Sequence, residues 1–145
     1  MKPKRVEDVM STALVILYED QTLDVADMEM ETGRVRHLPV VERGKPERLA
    51  GLVTHRDLLR YAGRAFFERE KDREQMLRQV VVSSIMRRKI ETARTTDLAA
   101  DAARRMLEKK LGCLPVLNES GALVGIVTEA DFVQFAIAYL EGHKG

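Results

Sequence analysis

The stretch Gly51-Leu52-Val53-Thr54-His55-Arg56-Asp57 is written a second time as Gly125-Ile126-Val127-Thr128-Glu129-Ala130-Asp131. Each copy is an apolar run followed by Thr, two variable residues and Asp. This spacing is typical of a capping box, in which the Thr hydroxyl accepts a hydrogen bond at a helix N-terminus and the Asp carboxylate accepts one from the Thr amide. The capping box explains Thr and Asp, but it does not explain the Gly that stands three residues before each Thr.

Two further patterns repeat around these stretches. Val6-x-x-Val9-Met10 recurs as Val82-x-x-Ile85-Met86. Leu38-Pro39-Val40-Val41 recurs as Leu114-Pro115-Val116-Leu117, and both pairs are offset by 76 residues. Three motifs that return in the same order at matching spacing indicate that the chain consists of two repeats in register.

The repeats determine the expected division of the chain. The two Thr-x-x-Asp copies lie 74 residues apart, so the first repeat has two additional residues, which fit a turn where insertions cost little. The run 68–74 mixes charge signs without Gly or Pro, and we interpret it as a solvated helix or linker. With a boundary at about Gln79, residues 1–79 form the first repeat with its charged linker helix and residues 80–145 form the second.

Composition limits the classes of function. The chain has 145 residues, 45% of them hydrophobic and 32% charged, which is ordinary for a globular protein. Its net charge of +1 disfavours general binding to nucleic acid or to an acidic membrane. We find neither an apolar run long enough to span a membrane nor a signal peptide, and we therefore expect a cytoplasmic protein. A single cysteine, Cys113, excludes an internal disulfide, and we expect it to be a small buried thiol.

Hydrophobic periodicity predicts the order β-α-β-β-α in each repeat. The expected strands cover 13–17, 38–41 and 49–53 in the first repeat and 89–93, 114–117 and 123–127 in the second. The predicted apolar helix faces are Leu23, Ala26 and Met30 with a stop at Gly33; Leu58, Leu59, Ala62 and Phe66; Leu98, Ala102 and Met106 with a cap at Asp97; and Phe132, Phe135, Ala136 and Tyr139.

This ordered pattern, over about residues 6–65 and 82–140, resembles the CBS domain, the module named after cystathionine β-synthase. Two copies in tandem resemble a CBS pair, or Bateman module, here of the stand-alone kind. The resemblance implies an α/β fold with two β-α-β-β-α CBS repeats packed about a pseudo-twofold axis, commonly as a homodimer. It also implies an adenosine derivative, such as AMP, ADP, ATP or S-adenosylmethionine, bound in one or both of two clefts.

The resemblance implies a role for each motif. The Asp of each capping box would bind ribose hydroxyls, the Thr would contact phosphate or ribose oxygens, and the first strand would receive the adenine edge. The implied ligand-binding residues are Thr12, Ala13, Leu14, Arg36, His37, Pro39, Thr54, Arg56 and Asp57 in the first repeat, and Arg88, Lys89, Ile90, Cys113, Pro115, Thr128 and Asp131 in the second. Independent physical reasons support this, because a carboxylate suits a cis-diol, a helix N-terminus suits a phosphate, and glycine permits close approach of a ligand.

The two clefts are not expected to be equivalent. In the first repeat His55 and Arg56 begin the last helix, whereas Glu129 begins it in the second, although the basic run 87–89 lies in the first segment of the second repeat. Guanidinium groups bind phosphate oxygens in bidentate fashion. We therefore expect phosphate-rich ligands to prefer the cleft that contains Asp57.

The sequence gives less support to other classes of function. A ligand-free dimerisation or protein-interaction scaffold remains the alternative, because capping alone accounts for Thr-x-x-Asp. The spacing of His37 and His55 does not support a metal site. The nucleophile and base candidates, Cys113, Ser83, Ser84 and the histidines, form no catalytic constellation, so we expect no enzyme. The basic run 87–89 lacks the aromatic residues typical of nucleic-acid binding.

These observations predict a regulatory module that senses adenine nucleotides without catalytic activity. Ligand would bias the arrangement of the repeats or protomers by its differential affinity, and an unidentified protein partner would read the altered surface. Apolar helix residues are candidates for the homodimer contact, with burial in the monomer core as the alternative for each: Leu59, Phe66, Phe132, Phe135 and Tyr139.

Overall fold

The computed structural model describes residues 2–63, 67 and 69–142. The chain forms two compact units. One unit comprises Val15–Ile90 and contains the first Thr-x-x-Asp motif; we call it the Asp57 unit. The other combines the chain up to Leu14 with the chain from Glu91 onward; we call it the Asp131 unit.

Each unit is built around one three-stranded sheet. In chain order the elements are α1 (Val6–Val9), β1 (Leu17–Tyr18), α2 (Leu23–Gly33), β2 (His37–Glu42), β3 (Lys45–Thr54), α3 (His55–Ala62), α4 (Glu70–Leu77), α5 (Val82–Ile85), β4 (Ala93–Arg94), α6 (Ala99–Lys109), β5 (Cys113–Leu117), β6 (Leu123–Thr128) and α7 (Glu129–Leu140). The strand orders are β1-β2-β3 and β4-β5-β6, with a parallel first pair and an antiparallel second pair. The predicted α/β class and the β-α-β-β-α order are confirmed.

The first strand of each sheet is shorter than predicted. β1 pairs with β2 only at Leu17 opposite Val40 and at Tyr18 opposite Val41. The residue before Val40 is Pro39, which has no N–H to extend a ladder toward the start of β1. Pro115 occupies the same place in the second sheet, so the predicted strands 13–17 and 89–93 contract to two residues each.

Helix α2 supplies the core of the Asp57 unit as the periodicity predicts. Leu23 and Ala26 are fully buried and Met30 is nearly so, and all three pack with buried strand residues such as Leu38 and Val53. The helix ends at Gly33 as expected, but the left-handed residue that terminates it is Arg34, with φ of 53°.

Helix α6 plays the same part in the Asp131 unit, with one correction at its start. The buried face is Ala99, Ala102 and Met106, and the helix begins at Ala99. Asp97 is not its cap, because the Asp97 carboxylate instead accepts a hydrogen bond of 2.9 Å from the backbone nitrogen of Arg94. The short side chain of an aspartate can bond to a nearby backbone N–H in a turn, and that bond competes with capping of the following helix.

Each unit contains the Val-x-x-[Val/Ile]-Met segment that belongs, by sequence, to the other repeat. In the Asp57 unit the Val82 nitrogen donates to the carbonyl of Gln21 at 2.7 Å. In the Asp131 unit the Val6 nitrogen donates to the carbonyl of Asp97 at 2.8 Å. Both valines are fully buried. The division at Gln79 follows the repeats in the sequence, whereas the compact units exchange these segments.

The charged segment after α3 is not a fully solvated linker. Part of it, together with the residues that follow, forms α4, and Leu77 in its last turn is fully buried. Arg73 Nε lies 2.9 Å from the Asp27 carboxylate of α2, and both side chains are less than one-fifth exposed. Apart from Arg73, the described residues of the charged run are exposed, as expected of a solvated helix; this ion pair and Leu77, which follows the run, hold α4 in the Asp57 unit.

Helix α7 also differs from a buried amphipathic helix. None of its residues is buried, although most of its residues are apolar. Phe132 is half-buried against the core of the Asp131 unit, and Tyr139 is 71% exposed. Phe66, which is predicted on the same helix face as Leu58 and Ala62 in the first repeat, lies outside the described residues.

Candidate functional site

The first capping box fixes the Asp57 carboxylate at the start of α3. β3 ends at Thr54 and α3 begins at His55, so Asp57 stands in the first helical turn. Asp57 Oδ2 accepts hydrogen bonds from the Thr54 backbone nitrogen at 2.8 Å and from the Thr54 hydroxyl at 3.1 Å. Asp57 is only 3% exposed, and these bonds offset part of the cost of burying its charge. Its second oxygen, Oδ1, takes no part in the cap.

The second capping box repeats this geometry in the Asp131 unit. Asp131 Oδ2 accepts from the Thr128 backbone nitrogen at 2.8 Å and from the Thr128 hydroxyl at 3.3 Å. The Asp131 nitrogen also lies 3.4 Å from the Thr128 hydroxyl, which closes the box. Asp131 is half-buried, so its carboxylate is more accessible to solvent than that of Asp57. Both predicted capping boxes are confirmed.

The repeated spacing of glycine three residues before threonine has a packing explanation. A β-carbon on Gly51 would lie 2.5 Å from Met86 Sδ, and one on Gly125 would lie 2.7 Å from Met10 Sδ. Non-bonded heavy atoms do not approach so closely. We expected these glycines to admit a ligand to the backbone; in each unit the space is instead taken by a methionine of the exchanged segment.

The residue after each methionine pairs with the last strand of the sheet. The Arg87 and Leu52 backbones exchange two hydrogen bonds, at 2.9 and 3.0 Å. Ser11 and Ile126 exchange the equivalent two, at 2.8 and 3.0 Å. This short bridge brings Arg87 Nη2 to 3.7 Å from Asp57 Oδ1. By sequence Arg87 lies in the first segment of the second repeat, and the exchange of segments brings it to Asp57 of the first repeat instead.

The same exchange divides the predicted ligand-binding sets. Thr12, Ala13 and Leu14 belong to the unit that holds Asp131, whereas residues 88–90 belong to the unit that holds Asp57. Neither unit therefore reproduces the grouping expected from one repeat. Within each unit, the Thr-x-x-Asp motif of one repeat is found together with the first segment of the other repeat.

The residues around Leu-Pro-Val lie beside the start of the last helix in each unit. The Arg36 carbonyl accepts a hydrogen bond of 2.9 Å from the His55 nitrogen, and the Gly112 carbonyl accepts one of 3.3 Å from the Glu129 nitrogen. These matching bonds show that Arg36 and Gly112 are structurally equivalent. Arg36 is exposed. The two prolines that follow these residues, Pro39 and Pro115, are buried.

Cys113 is buried at the first position of β5. It is 5% exposed, and burial raises the pKa of its thiol to about 12. The thiolate is the reactive form of cysteine, so this thiol is inert at neutral pH. The expectation of a small buried thiol is confirmed, and any contact of Cys113 with a ligand would involve an uncharged group.

A groove of about 480 Å³ runs alongside the N-terminus of α3 in the Asp57 unit. It brings together residues of α2, α3 and α4 and of the segment that precedes β2. Its lining is Asp27, Met30, Glu31, Arg34, Val35, Arg36, His55 and Arg73. The sequence identified Arg36 and His55 but not Arg73, because Arg73 reaches α2 from 46 residues away and no local pattern signals that contact.

The described part of the chain offers little for metal or nucleophilic chemistry. Within residues 2–63, 67 and 69–142, no three His, Cys, Asp or Glu side chains are grouped to hold a metal ion. The Ser84 hydroxyl donates to the carbonyl of Val81 at 2.6 Å, which commits it to its own helical turn. What the site offers is binding chemistry: fixed carboxylates, helix N-termini and arginines.

The CBS domain matches this chain twice, at residues 6–64 and 82–138. The chain belongs to the CBS-domain family. A CBS domain-containing protein of Dictyostelium discoideum is 36% identical over 137 residues, which cover 94% of this chain and 93% of that protein.

Solved structures agree with this membership. The acetoin utilization protein AcuB of Vibrio cholerae is 31% identical, with a TM-score of 0.78 over 97% of this chain and 95% of the other. CBSX2 of Arabidopsis thaliana, a CBS-pair protein, is 28% identical, with a TM-score of 0.80 over 97% and 99%. A structure of CBSX2 with AMP is 29% identical, with a TM-score of 0.75 over 93% and 97%.

Some curated relatives carry enzyme names. Homoserine O-acetyltransferases and inosine-5'-monophosphate dehydrogenases match over 22 to 24% of their own length. The matched part is therefore less than a quarter of those larger proteins. In the part of this chain that the structure describes, we find no helix with the length and apolar character needed to cross a bilayer.

Proposed function

We propose that this CBS pair is a regulatory module that binds adenosine derivatives through Asp57 and Asp131 and catalyses no reaction of its own. One observation carries the proposal: each carboxylate is held by its capping box through Oδ2, so Oδ1 is fixed in position without being consumed by the cap. A fixed carboxylate oxygen suits a ribose diol, and the adjoining helix N-terminus suits a phosphate. The AMP complex of the similar CBSX2 supports this ligand class.

The ligand would be AMP, ADP, ATP or S-adenosylmethionine, and the output would be conformational. A ligand shifts an equilibrium between two arrangements only by its differential affinity for them. A partner protein in the cytoplasm would then recognise the favoured arrangement. Because the relatives that carry enzyme names extend far beyond the matched part, a regulatory role toward another domain or protein fits this chain best.

Thermal unfolding with a ligand panel tests the proposal. The panel contains AMP, ADP, ATP and S-adenosylmethionine, each with and without Mg²⁺, and GTP as a control. Ligand at 100 times its dissociation constant stabilises the fold by about 2.7 kcal/mol, which raises the midpoint by several degrees. Protein stripped of co-purified ligand should respond to at least one adenosine derivative and not to GTP.

The double variant Asp57→Asn, Asp131→Asn is the matched control. Asparagine retains an oxygen that accepts from the Thr54 and Thr128 amides, so both capping boxes keep their main bond. The variant should remain folded and unfold cooperatively on heating, but no ligand should shift the midpoint of its thermal unfolding. Absence of a shift in the unmodified protein at millimolar ligand would contradict the sensor proposal.

A second candidate function is dimerisation, and helix α7 favours it. Val133, Ile137 and Leu140 are 57, 49 and 80% exposed, at the i, i+4 and i+7 spacing that places them along one helix face. Contiguous exposed apolar surface is a feature of protein interaction sites. A homodimer formed through α7 is compatible with ligand sensing, and it also describes a scaffold that binds no ligand.

A further inference from the structure

Asp57 and Asp131 share the same backbone hydrogen bonding, but the charged residues at equivalent positions differ. Three sets of matching hydrogen bonds establish the equivalence: Thr54 to Asp57 matches Thr128 to Asp131, Leu52 to Arg87 matches Ile126 to Ser11, and His55 to Arg36 matches Glu129 to Gly112. Side chains at equivalent positions can therefore be compared directly, and the two units act as internal controls for each other.

The comparison isolates arginine as the difference. Around Asp57 the equivalent positions carry Arg36, Arg56 and Arg87. Around Asp131 the same positions carry Gly112, Ala130 and Ser11. The first residue of the helix changes in the same sense, from His55 to Glu129. These positions thus carry three cations in the Asp57 unit and none in the Asp131 unit, where the first helical residue is instead a carboxylate.

Among these cations Arg87 alone has an ion pair with the carboxylate, within the part of the chain that the structure describes. Its Nη2 lies 3.7 Å from Asp57 Oδ1, the oxygen that the capping box does not use. This distance is too long for a hydrogen bond, and the Arg87 side chain is 54% exposed. An ion pair of that kind contributes little to folding stability. The backbone of Arg87, however, is fixed, because its N–H and its C=O both form hydrogen bonds with Leu52.

Resting on the proposed function, we infer that Arg87 is a specificity-determining residue that makes the Asp57 site selective for phosphorylated adenosine derivatives. A ligand whose diol reaches Asp57 Oδ1 places its neighbouring groups within reach of the Arg87 guanidinium. Phosphate oxygens accept charge-assisted hydrogen bonds from that group, whereas a cationic ligand meets repulsion. Ser11 imposes no such selection, so the Asp131 site does not favour phosphorylated adenosine derivatives over uncharged or cationic ones.

Isothermal titration calorimetry on the full chain tests this inference, with AMP and adenosine as probes. The Asp131→Asn background leaves only the Asp57 site. In it, Arg87→Ser installs the residue found at the equivalent position of the other unit. We expect AMP to bind about tenfold more weakly and adenosine to change by less than about twofold. Arg60→Ser, the same charge change on an exposed position of α3, is the control and should alter neither affinity by more than about twofold.

The reciprocal variant tests the other site. In an Asp57→Asn background, Ser11→Arg should raise the affinity for AMP relative to adenosine. Equal weakening of AMP and adenosine by Arg87→Ser, or equal loss of AMP binding with Arg60→Ser, would overturn the inference alone. An unmodified protein that binds AMP but loses all AMP binding in the Asp131→Asn background would also overturn it. If the unmodified protein binds neither probe nor ATP, the proposed function itself fails.

Discussion

Gly51 lies directly against the thioether of Met86, and this contact links the sheet of the Asp57 unit to the exchanged segment. A β-carbon at residue 51 would stand 2.5 Å from Met86 Sδ, 2.7 Å from Cγ and 3.0 Å from Cβ. The glycine is required by this approach and not by a left-handed backbone, since residue 51 has an ordinary strand conformation. The contact also holds Arg87, the next residue, near Asp57.

Alanine at either motif glycine should therefore destabilise the fold. We expect Gly51→Ala to cost about 1–3 kcal/mol in the free energy of unfolding, as overpacking does. Gly125→Ala should cost more, because its β-carbon would meet the Ser11 backbone oxygen at 2.9 Å, and a backbone atom cannot swing away as a methionine can. Urea unfolding of both variants checks the order. Gly33→Ala, whose β-carbon would have its nearest contact at 3.2 Å from Val15 Cγ2, is the milder comparison.

These contacts show where the sequence is informative and where it is not. The capping boxes were predictable because Thr and Asp are three residues apart. The buried face of α2, and Ala102 and Met106 of α6, were predictable because the helical period is a local pattern, whereas the predicted Leu98 precedes α6. The exchange was not predictable, since Met10 and Met86 are the same residue in the same motif. Nothing in the sequence tells which of them packs on Gly51 and which on Gly125. The position of Arg87 beside Asp57 depends entirely on that choice.

The two capping carboxylates should differ in their contribution to stability. We expect Asp57→Ala to lower the free energy of unfolding by about 1–2 kcal/mol and Asp131→Ala by about 0.5–1 kcal/mol. The difference arises because Asp57 is almost fully buried, so its removal leaves the Thr54 amide without a partner away from water. Denaturant unfolding without ligand measures both. A larger loss at Asp131 would contradict the burial of these two side chains.

Helix α4 should be part of the folded Asp57 unit rather than a free linker. Leu77 is fully buried, and we expect Leu77→Ala to cost about 2–5 kcal/mol. The neighbouring residue Met76 is 48% exposed, so Met76→Ala should change the free energy of unfolding by less than about 0.5 kcal/mol. Thermal unfolding of the two variants side by side makes the comparison. Equal and small effects would indicate that α4 does not pack as the structure shows.

Cys113 should resist thiol reagents in the folded state. Burial raises the pKa of its thiol to about 12, so at pH 8 the folded protein holds almost no thiolate. The unfolded thiol titrates near its ordinary value of 9.0, and unfolded chains should react rapidly at the same pH. Iodoacetamide labelling followed by mass spectrometry, with and without urea, measures the contrast. Rapid labelling of the folded protein at pH 8 would show that the thiol is accessible.

The exposed apolar face of α7 leads to a prediction about assembly. Ile137 lies between Val133 and Leu140 on that face, so a charge at residue 137 would have to be desolvated in any interface built there. We expect the unmodified protein to sediment as a dimer and Ile137→Glu to sediment as a monomer. The midpoint of monomer unfolding should change little, because Ile137 is half exposed and adds little to the core.

Gln134→Glu provides the matched control for that experiment. Residue 134 is exposed on the same helix, so the variant adds the same charge beside the apolar face and not on it. This variant should remain a dimer. Analytical ultracentrifugation over a hundredfold range of protein concentration measures its association state. A monomeric unmodified protein, or equal dissociation of both variants, would exclude α7 as the dimer contact. Dissociation of Ile137→Glu with adenosine-derivative binding preserved would separate assembly from sensing, because the carboxylates of Asp57 and Asp131 are fixed within single units of one chain.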